Sequence, residues 1–342
     1  MKSLLLISGF LLSGIATPFL AVFLKKAGLV DVPNSERKIH KNPVPIGGGA
    51  AIVFSAAILS IVLIYRGGLL TSGAVTPAHY LGLFAGALIL LIGGYIDDRH
   101  KIPPAWQFVF PILAALFAIS GGLEVRKITN PFGGYVFPGA FSDILVFLWL
   151  IGMMYTTKLL DGLDGLATSV GSVGVLMVLL LAGSVAFFQP DMAYFSAILL
   201  GAFLGFLVWN LHPAKVFLGE GGSLLIGYIL GALAVIAGSK IATLLLVMGV
   251  PILDVLWVMV RRIRKRQGLF KGDRKHLHHR LYDAGFSENQ VVLLYTALAL
   301  VFGLLTLVLS SFAKLLALIL LALVVLIGAF VLLQTEKKKP AK

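Results

Sequence analysis

Long apolar runs separated by short polar segments fill the chain from end to end. Eleven runs approach the roughly 20 residues that a helix needs to cross a bilayer core. They cover 3–24, 47–65, 79–96, 104–121, 141–158, 166–188, 192–210, 222–238, 240–261, 290–310 and 312–334. The pattern predicts an all-α, polytopic membrane protein of about eleven transmembrane helices. No internal repeat is visible, and no polar interval is long enough for a separate domain. Residues 1–335 therefore read as one integral-membrane domain, with 262–289 as its longest inner loop and 336–342 as a basic tail. The first run is long for a signal-peptide core, lacks a clear small-residue cleavage site and is followed by Lys25 and Lys26, so it reads as a membrane helix. A Gly/Pro/aromatic stretch at 129–140 predicts an ordered outer turn or hairpin.

Composition excludes the other broad classes. Hydrophobic residues make up 59% and charged residues 13%, which is too greasy for a soluble domain and for a disordered chain. There is no cysteine, so disulfides, thiolate metal sites and cysteine nucleophiles are excluded. Charge then orients the helices. With the N-terminus outside and the C-terminus cytoplasmic, 22 of the 28 Lys and Arg residues fall on the inner side and 6 on the outer side. The positive-inside rule selects that arrangement. The net charge of +13 is read as topology and as attraction to anionic membrane lipids. No groove-reading motif points to nucleic acid, which is not an expected partner.

The acidic residues add something that topology does not require. Twelve of the 15 carboxylates fall inside or at inner helix ends, and so do six of the seven histidines. Ionisable groups at membrane depth are costly and mark functional positions. The inner face is therefore where chemistry is expected.

Five segments carry it. In Asp31 to Gly49, the run RKIHKNPVPIGGG supplies Lys38, His40 and Lys41 before three glycines. Glycines at a helix start can bare N–H groups to a phosphate, or can simply let helices pack. In GYIDDRHK, Asp97 and Asp98 are adjacent. On a helix they point about 100° apart, so they serve two partners. They need a cation, a shared proton or the neighbouring Arg99 and Lys101. In KLLDGLDGLA, Asp161 and Asp164 are three residues apart, so a helical turn would put them on one face, and two glycines permit close approach of a ligand or metal. In NLHPAKVFLGEGGS, Glu220 is bracketed by glycines just before an apolar run, a place suited to a hard cation or to capping by Ser223. Finally, Asp254 lies inside the ninth run, where it can pair with an arginine or line a polar cavity. It is followed by DRKHLHHRL with Arg274, His276, His278 and His279. Zinc would want a His-x-x-x-His pair or cysteine. The surrounding cations favour phosphate instead.

Taken in order, RKIHKNPVPIGGG, GYIDDRHK, DGLDGLA, NLHPAKVFLGEGGS, PILD and DRKHLHHRL resemble the polyprenyl-phosphate N-acetylhexosamine-1-phosphate transferases. The likeness runs in register from about residue 31 to 281, and the His-x-His-His form resembles the N-acetylglucosamine branch. It implies that a UDP-N-acetylhexosamine and undecaprenyl or another polyprenyl phosphate give polyprenyl-diphospho-hexosamine and UMP, with magnesium or manganese. It implies that Asp97 and Asp98 handle the lipid phosphate and that Asp161 and Asp164 contact nucleotide and metal. Glu220 would stand at the metal. Lys38, His40, Lys41, Lys158, Asn210, Asp254, Arg274 and the three histidines would bind substrate. Relatives also make a homodimer an expected assembly.

Two departures stand out. The family usually has Asn where this chain has Lys158 and Asp where it has Glu220, and Tyr155 replaces a further common Asn. Opposite-sign changes at positions that the family makes neighbours predict a Lys158–Glu220 ion pair at the metal site. Two other readings compete. An ion or proton transporter would place carboxylates mid-membrane in several broken helices. An inactive relative would retain lipid or nucleotide binding only.

Overall fold

The computed structural model describes residues 1–32, 43–73, 75–238, 240–264, 266 and 276–338. The apolar runs become helices, because hydrocarbon offers the backbone no other hydrogen-bond partners. The helices are α1 (Lys2–Lys26), α2 (Gly49–Gly67), α3 (Pro77–His100), α4 (Pro104–Gln107), α5 (Val109–Ser120), α6 (Ser142–Leu160), α7 (Leu166–Gly183) and α8 (Pro190–Asn210). They continue with α9 (Gly219–Ile236), α10 (Ile241–Val247), α11 (Gly249–Arg264), α12 (Leu277–Asp283), α13 (Glu288–Val308) and α14 (Ser311–Lys338). Among the described residues, nine helices are long and apolar enough to cross a membrane, or ten if the bent pair α10–α11 is one span. The expectation of eleven differs at two runs. Residues 104–120 form a shorter helix interrupted after Gln107, and 240–261 breaks at Met248 with a bend of 75°.

Burial orders the bundle. The most apolar window of α9 is 83% buried, against 22% for α1 and 17% for Ser311–Gly328. Thus α9 is central, while α1 and α14 are peripheral. On α1, Leu4, Ile7, Leu11, Ile15, Phe19 and Val22 are exposed. Their three- and four-residue spacing makes one face, the one suited to lipid. The opposite face, with Leu5, Gly9, Ser13 and Thr17, is buried. It meets α8 at backbone distance, where Gly201 and Gly205 lie against the carbonyls of Leu6 and Phe10. Small residues are what permit such close helix packing in membranes.

The same device sets the chemistry end. A Cβ on Gly94 of α3 would strike the backbone nitrogen of Gly221 on α9, and one on Gly49 of α2 would come within 2.5 Å of the Gly222 Cα. The Gly47–Gly49 cluster is thus a packing seam. The N–H groups of Gly47 and Gly48 both donate to the Phe217 carbonyl, at 3.1 and 2.8 Å. Phe217 N–H donates in turn to Pro45. A short antiparallel pair, β1 (Val30–Asp31) with β2 (Val44–Pro45), is thereby tied to the segment that precedes α9. At the far end, β3 (Ile128–Thr129) and β4 (Tyr135–Val136) form the hairpin expected near 129–140.

Candidate active site

Asp97 and Asp98 close α3 and, as their 100° separation requires, face different partners. Asp97 is buried, and its Oδ1 accepts from Ile102 N–H at 3.1 Å and from Gln107 Nε2 at 3.2 Å. Gln107 Oε1 accepts from Lys158 Nζ at 3.2 Å. Lys158 Nζ lies 2.7 Å from Glu220 Oε2, so the ion pair expected from the two departures is present. Glu220 N–H donates to Asp98 Oδ2 at 3.2 Å. One line of polar contacts therefore runs from Asp97 through Gln107, Lys158 and Glu220 to Asp98. The glycine seam between α3 and α9 is what brings its two ends together.

Beside this line lies a cavity of about 940 Å³, a volume suited to a small-molecule ligand. Asp98, Lys158, Asp161, Asp164, Asn210, Glu220 and His279 all line it. Asp97 does not; with Gln107 and Lys158 it borders a smaller neighbouring cleft. Lys38, His40, Lys41 and Arg274 lie outside the described residues.

Asp161 follows the last turn of α6 in the loop that the two glycines shape. Burial, then the charges of Glu220, Asp164 and Asp98, push its carboxyl up to about 8. Crowded carboxylates of this kind suit a divalent cation, which would offset their charge without a proton. Cation capture would displace the Asp161 proton. Its apparent affinity is therefore expected to rise by up to about tenfold per pH unit below pH 8 and to level off above it. Manganese binding followed by electron paramagnetic resonance at pH 6.5, 7.5 and 8.5 checks this.

Asp164 faces the turn that follows α8. Its Oδ2 accepts from Ala214 N–H and lies against His212 Nδ1, both at 3.0 Å. His212 Nδ1 is also 3.3 Å from Glu288 Oε2, at the start of α13. The ligand atoms of Asp164, His212 and Glu288 lie within 4.8 Å of one another, a spacing that a metal ion could bridge. Asn210 is buried and fully engaged. Its Oδ1 accepts from the Thr168 hydroxyl at 2.7 Å, and its Nδ2 donates to Val216 O at 3.0 Å. It holds α8, α7 and the 211–218 turn in register behind the cavity.

The three histidines separate in position. His276 Nδ1 sits 2.9 Å from Asp254 Oδ2, and Asp254 Oδ1 accepts from Leu277 N–H at 2.9 Å. Asp254 thus anchors the start of α12 rather than lining the cavity. His278 is 1% exposed; its ring stacks on His276 and meets His279 at a tilt of 48°. Burial first, then His279 and His276, hold its imidazole well below the usual range, hence neutral. It rests on Gly162, where any Cβ would displace it. Only His279 reaches the cavity wall. Asp254→Ala is expected to loosen α12, raising amide hydrogen exchange over 277–283 by at least about tenfold while the bundle's melting changes little.

Residues 80–238 match the family described as Glycosyl transferase family 4. A Bacillus subtilis (strain 168) protein, named a probable undecaprenyl-phosphate N-acetylglucosaminyl 1-phosphate transferase, is 32% identical over 304 residues, 87% of this chain and 82% of its own. The chain belongs to glycosyl transferase family 4. It is also similar to a decaprenyl-phosphate N-acetylglucosaminephosphotransferase of Mycobacterium leprae (strain TN), at 34% identity over 82% of this chain and 76% of that one. A phospho-N-acetylmuramoyl-pentapeptide-transferase of Halalkalibacterium halodurans is 30% identical over 90% of this chain and 97% of its own. The family match over 80–238 contains Asp97, Asp98, Lys158, Asp161, Asp164, Asn210 and Glu220, and ends before α12 and its histidines.

Three side chains that the structure brings to this region carry no local signal of it in the sequence. Gln107 passed as one amide in an apolar run. His212 and Glu288 were visible as ionisable residues near helix ends. Nothing local connected them to Asp164, 48 and 124 positions away.

Proposed function

We propose that this family member transfers N-acetylhexosamine-1-phosphate, N-acetylglucosamine-1-phosphate in the first instance, from a UDP-sugar to undecaprenyl or another polyprenyl phosphate. An oxygen of the lipid phosphate becomes bonded to the sugar-bearing phosphorus, and UMP leaves with the electron pair of the broken P–O bond. The observation that carries this reading is the convergence of Asp98, Asp161, Asp164 and Glu220 with Lys158 and His279 on one cavity at the ends of membrane helices. A lipid phosphate and a nucleotide diphosphate can meet there, one from the bilayer and one from water.

In this reading Asp98 and Asp161 hold a divalent cation, magnesium or manganese, and Asp98 faces the lipid phosphate. When bound, that cation offsets the negative charge that builds on the diphosphate as UMP departs. His279 meets the diphosphate or the sugar from the opposite wall, supported by His278 on Gly162 and by the Asp254–His276 anchor. The inner-side excess of Lys and Arg supports a site end in the cytoplasm of a bacterial cell, with the N-terminus outside and the C-terminus inside. One chain supplies all of these residues, so the proposal does not require a second copy.

The bent pair α10–α11 is a feature that a transporter would share. Its carboxylate, Asp254, is engaged by His276 and Leu277 N–H, which favours the transferase. The test is UMP release by the purified chain with undecaprenyl phosphate, UDP-N-acetylglucosamine and magnesium. Absence of UMP and of lipid-linked sugar across a panel of UDP-sugars and metals would leave the inactive-relative reading in its place.

A further inference from the structure

We propose that Lys158 is a built-in cation that keeps Glu220 out of the metal-ligand set, so that a divalent ion in this cavity is held from the Asp98 and Asp161 side. The inference rests on the reading of the cavity as a cation-using phosphate site, and it concerns which of its carboxylates a metal can reach.

The lysine is fixed rather than loosely placed. Its side chain is 18% exposed, and its Nζ lies 2.7 Å from Glu220 Oε2. On its other side it donates to Gln107 Oε1 at 3.2 Å. Gln107 is itself held, because its Nε2 donates both to Asp97 Oδ1 and to the Ile102 carbonyl, each at 3.2 Å. The backbone of Glu220 is held, with its N–H on Asp98 Oδ2 and its carbonyl accepting from the Ser223 hydroxyl at 3.0 Å. Its carboxylate is 38% exposed and lies against the Lys158 ammonium.

An ammonium at hydrogen-bond distance and a divalent ion cannot share one carboxylate cheaply, since like charges a few ångströms apart repel strongly in a shielded site. The ammonium was there first, supplied by the fold. It has three N–H groups. One donates to Gln107 Oε1, and the ammonium as a whole is ion-paired with Glu220. Because Lys158 also lines the cavity, it can meet an anionic oxygen of a bound ligand as well. Lys158 thus takes a share of the charge neutralisation that a second metal contact would otherwise give. Tyr155, one turn earlier on α6, stacks on Phe108 with ring centroids 4.8 Å apart and brings no further carboxylate or amide.

The test is manganese binding to the full-length chain in detergent, read by electron paramagnetic resonance in the absence of substrates. Lys158→Asn is expected to bind manganese at least about tenfold more tightly than the parent. The gain should disappear in the Lys158→Asn, Glu220→Gln double variant. Glu220→Gln alone should stay within about threefold of the parent. Lys158→Arg, which keeps the charge, should also remain near the parent, and metal-free melting curves report whether each variant is folded. The proposal is overturned if Glu220→Gln alone abolishes binding, because Glu220 is then a ligand. It is equally overturned if Lys158→Asn binds no better than the parent, including the case in which neither binds. Failure of the transfer assay is a separate result: it would remove the transferase reading and leave this ranking of affinities untouched.

Discussion

Asp98→Asn is expected to slow sugar-phosphate transfer by about a thousandfold while the bundle melts within a few degrees of the parent. The substitution is nearly isosteric. The amide oxygen of Asn can still accept the Glu220 N–H that Asp98 Oδ2 accepts at 3.2 Å, so the contact between α3 and α9 survives. What disappears is the negative charge facing the cavity, and with it the group that the proposed reaction uses for cation and lipid phosphate. UMP release measured at saturating substrate checks the rate, and circular dichroism checks the fold. An activity within tenfold of the parent would remove Asp98 from the reaction. Asp97→Asn is not an equivalent experiment, because Asp97 points away from the cavity and holds Gln107.

The second large effect is structural. Gly94→Val is expected to abolish folded protein, and Gly94→Ala to cost at least about 3 kcal/mol, at the upper end of overpacking penalties. The reason is that a Cβ at Gly94 meets the Gly221 backbone rather than a flexible side chain. Backbone cannot rotate out of the way, so α3 must separate from α9 and draw Asp98 from Glu220. Gly152→Ala is the matched control. Nothing lies within 4 Å of its Cβ position, and alanine in a helix interior is favoured over glycine by about 1 kcal/mol. Thermal melting in detergent should move in opposite directions for the two alanine variants. Similar behaviour would mean that the seam does not set the helix spacing.

Much of this molecule could be read before its structure was seen, for identifiable reasons. Helices in hydrocarbon announce themselves through continuous apolar length, so all eleven runs correspond to helical segments. The Lys158–Glu220 pair was legible because two opposite-sign changes fell together on positions already expected to be neighbours. Other features were hidden by the nature of the signal. Hydropathy runs unbroken through Met248, so the bend between α10 and α11 left no mark on it. Gln107 looks like a tolerated amide until Asp97 and Lys158 are seen on either side of it. His276, His278 and His279 form a single motif in sequence, yet Asp254 claims the first, Gly162 receives the second, and the cavity takes the third. That division depends on packing against distant segments, which spacing along one strand of letters does not encode.

The line of contacts from Asp97 to Asp98 begins and ends on adjacent residues, and so it closes on itself. It is a hoop threaded through α3, α4, α6 and α9, fastened at a single peptide bond. A hoop has no slack end, and a pull on any member reaches both of its neighbours. A ligand that drew Lys158 or Glu220 toward the cavity would therefore tug in two directions at once: toward Gln107 at the end of α4, and toward the end of α3. Such a pull would be shared across four helices of the bundle, and not confined to one side chain.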